Sequence, residues 1–280
     1  MLVPMSAILG HARAEGYGVG AFDVPNLETA TAVLEAAQQL NSPVIIAVPP
    51  SVLAFQHFEV FVHGIRMLAD PLDVPVAIIL DHGQSYEICM RAIKAGMTAV
   101  MFDGSKLPFE ENVRITKEIV KVAHSLNVSV EAEVGHVGSG DMTPEQIANL
   151  LTDPEKAAQF VEQTGVDCLA VAVGTIHGHY RGEPQIRFEL IEKIATLTQI
   201  PLVLHGGSST GEQNLRKAIE CGINKINVFS DMSAEAVDRM KSLLSSNARP
   251  RINDVLLAAR DGFGKVSGYY MKLFGSNGKG

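Results

Sequence analysis

Short apolar runs alternate with amphipathic stretches along most of the chain. Each run is rich in Val, Ile and Ala, and a polar or glycine-containing turn separates it from the stretch that follows. Continuous apolar runs are typical of parallel strands that are buried on both faces, and apolar residues at helical spacing indicate amphipathic helices. The predicted strands cover residues 18–22, 43–48, 76–80, 99–102, 129–134, 168–173, 201–204 and 225–228. The predicted helices cover residues 27–40, 58–68, 86–95, 109–126, 154–164, 188–196, 211–221 and 233–244.

This alternation of eight strands and helices predicts an α/β fold, a closed (β/α)8 TIM barrel. An open, doubly wound sheet is the alternative, but eight units within 280 residues fit a closed barrel better. The pattern over residues 252–274 predicts one or two further helices. We therefore expect a single domain, residues 1–280, that consists of a TIM barrel with a C-terminal helical extension, and we expect the last residues, GSNGKG, to fray.

One long irregular stretch, residues 135–153, interrupts the pattern and contains three glycines in its first six positions. Loops of this length inside a compact domain are uncommon and are frequently functional lids. The stretch carries two candidate carboxylates, Asp141 and Glu145. We expect it to form a lid that brings one of them toward a substrate.

The composition excludes several classes of protein. Lys and Arg number 23 against 31 Asp and Glu, a net charge of −8, which disfavours binding to nucleic acid or to an anionic membrane. No apolar run approaches the ~20 residues that a membrane span needs, and the N-terminus lacks the pattern of a secretion signal. The three cysteines, Cys89, Cys168 and Cys221, are too few for a disulfide framework. These features predict a soluble, cytoplasmic protein.

Polar side chains stand where the predicted strands end. His82, His177 and His205 follow the third, sixth and seventh strands, and a glycine comes directly after each of them. The carboxyl ends of barrel strands meet at one mouth, where barrel enzymes have their active sites. Three imidazoles at that mouth fit a catalytic zinc ion with an open coordination position. The alternative, three unrelated core or capping histidines, becomes less favoured when all three lie at strand ends.

Carboxylates surround these histidines in the sequence. Asp81 directly precedes His82 and is a candidate general acid or base. Glu131 and Glu133 are two positions apart in a strand and therefore point to the same side. We expect Glu131 to be an ion-pair partner, whereas Glu133 is the better candidate for a functional role. Asp103 either supports a metal ligand or binds the metal itself.

A possible anion site follows the seventh and eighth predicted strands. The segment Gly206-Gly207-Ser208-Ser209 leads into a helix, and Asn227-Val228-Phe229-Ser230 does the same one unit later. Backbone N–H groups at helix starts bind phosphate, and these two loops are the usual phosphate site of this fold. A plain turn is the alternative, because a Gly-Gly-Ser sequence is a weak signal on its own.

The sequence resembles the class II, zinc-dependent ketose-bisphosphate aldolases, the family that includes fructose- and tagatose-bisphosphate aldolases. The resemblance spans nearly the whole chain. Its most specific motifs are LDHG at 80–83, FDGS and PFEENV within 102–113, VEAEVG at 130–135, VGTIHG at 173–178, LVLHGGS at 202–208 and KINV at 225–228.

The resemblance implies a reversible cleavage of a ketose (bis)phosphate to dihydroxyacetone phosphate and an aldehyde. It implies that His82, His177 and His205 bind the catalytic Zn2+, with Asp103 and Glu133 at a second metal position. It further implies that Asp81 is the acid/base at the aldehyde oxygen and that a lid carboxylate is the base at the carbon. The implied dihydroxyacetone phosphate site comprises Gly178, Gly206, Gly207, Ser208, Asn227, Val228, Phe229 and Ser230. A monovalent cation, Na+ or K+, beside the phosphate and a homodimer or homotetramer are also expected.

The sequence departs from the family pattern at two informative places. The lid reads Gly138-Ser139-Gly140-Asp141 where the family usually has Gly-Gly-x-Glu, so the lid base would be one methylene shorter. Phe229 stands where many relatives have Ala or Asp. Two other functions stay open at this point: a zinc hydrolase on the same barrel, and a non-catalytic protein that binds a sugar phosphate. A Schiff-base aldolase is disfavoured, because the sixth strand has no lysine and Lys225 is interpreted as structural.

Overall fold

The computed structural model describes residues 1–140, 142–178, 180, 183–246 and 249–280. Within these residues, eight parallel strands close a barrel: β1 (Val19–Asp23), β2 (Val44–Val48), β3 (Val76–Gly83), β4 (Ala99–Phe102), β5 (Ser129–Val134), β7 (Cys168–Val171), β9 (Leu202–Leu204) and β10 (Ile223–Val228). Two short strands, β6 (Gly138–Ser139) and β8 (Ile176–His177), pair separately. The order around the barrel is β1-β10-β9-β7-β5-β4-β3-β2.

The predicted (β/α)8 barrel is confirmed. The open sheet is excluded because β1 pairs with β2 on one side and with β10 on the other. Strand bounds differ from the prediction mainly at the carboxyl ends. The strand β3 continues to Gly83 and therefore carries Asp81 and His82 itself, whereas β7 ends two residues early, at Val171.

The helices surround the barrel and cover its outer face. They are α1 (Met5–Glu15), α2 (Leu27–Gln39), α3 (Phe58–Ala69), α4 (Tyr86–Ala95), α5 (Phe109–Ser125), α6 (Pro144–Ala148), α7 (Pro154–Thr164), α8 (Phe188–Thr198), α9 (Glu212–Glu220), α10 (Ser230–Ser246) and α11 (Ile252–Phe274), with a 3-10 helix at Pro50–Ala54. Polar caps set several starts: Asn26 accepts from the N–H of Thr29 ahead of α2, and Asp153 accepts from two N–H groups of α7. Among the described helices, none is long and apolar enough to span a bilayer.

The first helix, α1, closes the amino-terminal end of the barrel and is not predicted by the pattern above. Its buried residues Met5, Ile8, Leu9 and Ala12 have the spacing of one helix face. They join the hydrophobic cluster inside the barrel, which includes Ala21 and other strand residues. With this end filled, the opposite end is the open mouth.

The C-terminal residues are ordered against the barrel, so the expectation that they fray is wrong. The helix α11 is a single helix that packs against α2 and α10. Beyond it, the backbone N–H groups of Gly278 and Gly280 donate to the carbonyls of Leu40 and Asn41 at 2.9 and 2.8 Å. Ser276 is fully buried. Backbone hydrogen bonds that are made to another segment have no sequence signature, which explains the error.

The predicted lid is more regular than expected, since it contains β6 and the short helix α6. Ser139 of β6 is paired with His177 of β8, and the N–H of Gly140 donates to the carbonyl of His177 at 3.2 Å. Asp141 lies outside the described residues, whereas Glu145 lies in the first turn of α6. The lid is therefore joined by backbone to the strand that carries a predicted metal ligand.

Candidate active site

The three predicted metal ligands meet at the mouth of the barrel. The ring centre of His82 lies 5.0 Å from that of His177 and 4.5 Å from that of His205. One ligand atom from each histidine lies within 4.8 Å of the other two. A register shift between β3 and β4 and a left-handed backbone at His82, φ 49°, accompany this placement. Such irregularities in a strand commonly re-aim a side chain next to an active site.

The hydrogen-bond partners of the ring nitrogens indicate whether these histidines could bind a metal ion. His82 Nε2 and His205 Nδ1 are buried and have no hydrogen-bond partner among the residues that the structure describes, an arrangement that is costly unless something binds there. The opposite nitrogens are held by carboxylates: His82 Nδ1 lies 2.9 Å from Asp103, and His205 Nε2 lies 3.0 Å from Glu131. Metal-binding histidines usually have such a partner on the second nitrogen. The residues present therefore fit a zinc ion.

The electrostatic field at the mouth favours a cation. Burial opposes protonation of His82, but Asp81, Asp103 and Glu133 outweigh it and raise its pKa to about 10. Burial, followed by the charge of His82, lowers the pKa of His205 well below its ordinary value. Carboxylates that hold a proton on His82 would also stabilise a divalent ion in its place, because both are positive charges.

Asp103 and Glu133 form a second potential metal group together with His82, again with ligand atoms within 4.8 Å. Glu133 Oε1 accepts from the N–H of Val137 at 3.0 Å, while the buried Oε2 has no partner within the described ranges. Burial, followed by the charge of Asp103, raises the pKa of Glu133 to about 8. Asp103 also accepts a hydrogen bond from Ser105 Oγ at 2.6 Å. It thus supports His82 and belongs to the second metal group.

Asp81 is a buried carboxylate beside the ligand set. Asn227 Nδ2 donates to its Oδ1 at 3.0 Å. Burial would raise the pKa of Asp81, but His82, His205 and Lys225 outweigh burial and lower it. Asp81 is therefore ionised and able to accept a proton.

A further buried carboxyl, Asp23, the last residue of β1, was not predicted from the sequence. Burial, followed by the charge of Asp81, raises the pKa of Asp23 well above its ordinary value. The signal was available, because Asp23 stands at the end of a predicted strand just as the other polar residues do.

A buried network joins His205, a predicted metal ligand, to Asp81. Glu131 Oε1 lies 3.0 Å from His205, and Glu131 Oε2 lies 2.8 Å from Lys225 Nζ, so the expected ion-pair role of Glu131 is confirmed. Lys225 also donates to Asn227 Oδ1 at 2.8 Å. Since lysine can only donate and Asp81 only accepts when ionised, the amide of Asn227 has one possible orientation. Lys225 thus fixes the group that holds Asp81.

Replacing Lys225 by methionine is expected to lower the free energy of unfolding by about 3–5 kcal/mol, because Glu131 would stay buried without its counter-charge. Chemical denaturation measures this loss. The matched control is Lys193→Met, which breaks an exposed ion pair of similar length, 2.7 Å to Glu155. This substitution should change the free energy of unfolding little. Equal stability of both variants would contradict the interpretation.

The two predicted phosphate loops lie side by side. Ser208 Oγ accepts from the N–H groups of Phe229 and Asp231 at 3.2 and 3.3 Å, and the N–H of Gly207 donates to the carbonyl of Asn227 at 3.0 Å. A side chain at Gly206 is excluded, since its Cβ would meet the carbonyl of Ile176 at 2.1 Å.

The remaining predicted residues of this site differ in what they can offer a ligand. Ser230 begins α10, and Gly178 follows β8 directly. The side chain of Val228 packs in the hydrophobic layer outside the barrel, so only its backbone can face a ligand. The side chain of Phe229 is 42% exposed.

Known proteins resemble this chain in sequence and in structure over most of its length. The family model described as fructose-bisphosphate aldolase class-II matches residues 3–279. The fructose-bisphosphate aldolase of Geobacillus stearothermophilus is 41% identical to this chain, and the match covers 99% of this chain and 98% of that enzyme. The corresponding enzyme of Staphylococcus aureus strain Mu50 is 41% identical over 88% of this chain and 87% of its own. The crystal structure of the YdjI aldolase of Escherichia coli K12 superposes with a TM-score of 0.90 at 36% identity, covering 100% of this chain and 99% of that one.

Proposed function

This chain belongs to the class-II fructose-bisphosphate aldolase family and is therefore a zinc-dependent aldehyde-lyase, and we propose that its substrate is a ketose bisphosphate of the fructose-bisphosphate type. Cleavage would yield dihydroxyacetone phosphate and a phosphorylated aldehyde. The observation that carries the proposal is the convergence of the three histidines close to Asp81, where His82 Nε2 and His205 Nδ1 have no partner in the described part of the chain. No described feature favours the hydrolase or the non-catalytic alternative.

His82, His177 and His205 would hold the zinc ion, and Asp103 and Glu133 would offer it a second position together with His82. When bound, zinc supplies the Lewis acidity that polarises the carbonyl of the substrate. The carboxylates Asp103 and Glu131 keep the His82 and His205 rings oriented through their second nitrogens. The protein thus contributes a rigid ligand set, two of whose members are fixed before metal arrives.

Asp81 would move the proton at the aldehyde-side oxygen. In cleavage it accepts the proton of the C4 hydroxyl as the C3–C4 bond breaks, and the bonding electrons pass to C3. In condensation it returns that proton to the new alkoxide. The hydrogen bond from Asn227 holds one carboxylate oxygen in place, so the proton transfer has a fixed geometry.

The phosphate would bind at the loops that contain Gly178, Gly206, Gly207 and Ser208 and residues 227–230. Support for this site comes from the adjacent loops, from the helix start at Ser230 and from the hydroxyl of Ser208, whose oxygen accepts two N–H groups and whose O–H can donate. We place a monovalent cation, Na+ or K+, beside this phosphate as part of the same proposal.

We further propose that residues 1–280 act as one domain in the cytoplasm and assemble as a homodimer or homotetramer. The close packing of α11 on α2 supports a single domain, and three buried cysteines without a disulfide suit a reducing compartment. The exposed side chains of Val60 and Met67 line one surface groove together with Leu27 and Met90, and this contiguous apolar surface supports self-association.

A coupled assay for triose phosphate release tests the substrate. The zinc-loaded protein should cleave fructose 1,6-bisphosphate, and the tagatose epimer should be assayed beside it. A screen of aldehydes with dihydroxyacetone phosphate, followed by product identification, then defines the acceptor. Failure of every bisphosphate, with activity on another ketose phosphate, would overturn the proposed substrate but not the reaction class.

The lid base can be assigned by exchange of the hydroxymethyl hydrogen of dihydroxyacetone phosphate with deuterium. We expect Asp141→Ala to lose this exchange, because the family carries its acidic residue at that point of the lid, and removal of a general base typically costs about 10²–10⁴-fold. Glu145→Ala is the matched comparison. Loss of exchange in Glu145→Ala alone would transfer the role to Glu145, and undiminished exchange in both variants would remove the lid from the chemistry.

A further inference from the structure

Asp231, the second residue of α10, connects three parts of the chain. Both of its carboxylate oxygens accept hydrogen bonds from Ser209, Oδ2 from the backbone N–H and Oδ1 from Oγ, each at 3.0 Å. The hydroxyl of Tyr270 in α11 donates to Oδ2 as well. The C-terminal helix is thereby bonded to the loop that follows β9.

The loop needs this support because Ser209 has a left-handed backbone, with φ at 59°. A residue with a side chain adopts that conformation only when its surroundings impose it. The surroundings here are the two hydrogen bonds to Asp231. The preceding residue, Ser208, is also tied to the start of α10, through the N–H groups of Phe229 and Asp231.

Asp231 carries a negative charge next to a loop that would bind a phosphate. The donors Ser209 and Tyr270 disperse part of this charge and fix the position of the carboxylate, so that it holds the loop in one place. Tyr270 is a suitable donor because it is 5% exposed and its ring packs against Phe274, with ring centres 5.3 Å apart. Because the Tyr270 hydroxyl is fixed in this way, its hydrogen bond holds the Asp231 carboxylate in one position.

We propose that Tyr270 is a positioning residue that holds the phosphate-binding loop, residues 206–210, in its binding conformation through Asp231. This inference rests on the phosphate site of the proposed function. It makes the C-terminal helix a part of the active site's support, although no residue of that helix reaches the predicted ligand set.

The test compares Tyr270→Phe with Tyr269→Phe. Each variant removes one hydroxyl from the same helix, but Tyr269 donates to Glu212 on the surface, outside the loop. We expect Tyr270→Phe to raise the KM for dihydroxyacetone phosphate and the inhibition constant of inorganic phosphate about five- to tenfold, the factor that corresponds to the net contribution of one ordinary hydrogen bond. The kcat and the zinc content should stay within about twofold of wild type, and Tyr269→Phe should match wild type throughout.

Unphosphorylated dihydroxyacetone separates positioning from general damage. Its kcat/KM should be the same in Tyr270→Phe and wild type, because the missing contact acts only through the phosphate loop. A wild-type-like KM for dihydroxyacetone phosphate in Tyr270→Phe, or equal losses with both donors, would overturn the role of Tyr270. A wild type that does not prefer the phosphorylated donor would instead overturn the phosphate site, and this inference with it.

Discussion

Replacement of His205 by alanine is expected to abolish zinc binding and aldol cleavage together. The ring is fully buried, its Nδ1 has no partner among the described residues, and its Nε2 is held by Glu131, so the side chain has little purpose other than ligation. A site with three protein ligands cannot lose one without a large loss of affinity. His82→Ala and His177→Ala should behave alike.

Zinc content after dialysis and triose phosphate release measure this prediction. Glu131→Gln provides a graded comparison, since removing the partner of a ligand typically costs about 10–100-fold in metal affinity. The control is His124→Ala, which removes a histidine that is also 2.9 Å from a carboxylate, Asp167, but lies away from the mouth. Full activity of metal-free protein would refute the metal assignment.

Asp81→Asn should lower aldol cleavage about 10²–10⁴-fold, the usual contribution of a general acid–base group. The asparagine keeps an oxygen for the hydrogen bond from Asn227 but cannot take a proton, so the variant should fold and bind zinc. Exchange of the hydroxymethyl hydrogen of dihydroxyacetone phosphate should survive, because that half-reaction does not use the aldehyde oxygen. Equal losses in exchange and cleavage would show that Asp81 does not act at that oxygen.

The sequence was sufficient for the barrel because parallel strands buried on both faces appear as continuous apolar runs. It was also sufficient for the candidate ligands, since His82, His177 and His205 each stand where such a run ends. It was insufficient for α1, because that helix precedes the first strand and therefore lies outside the alternation of strands and helices. It could not reveal the network through Lys225, because those partners come from different strands and meet only through the register of the closed barrel.

The contact between Tyr270 and Asp231 was hidden for a similar reason. The two residues are 39 positions apart, and nothing in the pattern of α11 indicates which loop its face would reach. Long-range polar contacts of this kind depend on how the last helix returns across the barrel. They are specified by packing rather than by a local motif.

The ladder between β6 and β8 has a consequence for engineering. Ser139 pairs with His177, and Gly140 donates to the carbonyl of His177. The position of the lid backbone and the position of the His177 backbone therefore depend on each other. A lid taken from a relative, for example one with a glutamate in place of Asp141, would match that relative's own counterpart of residues 176–178. Segments 138–140 and 176–178 should therefore be exchanged together, and we expect a graft that moves only the first to misalign His177, the predicted metal ligand.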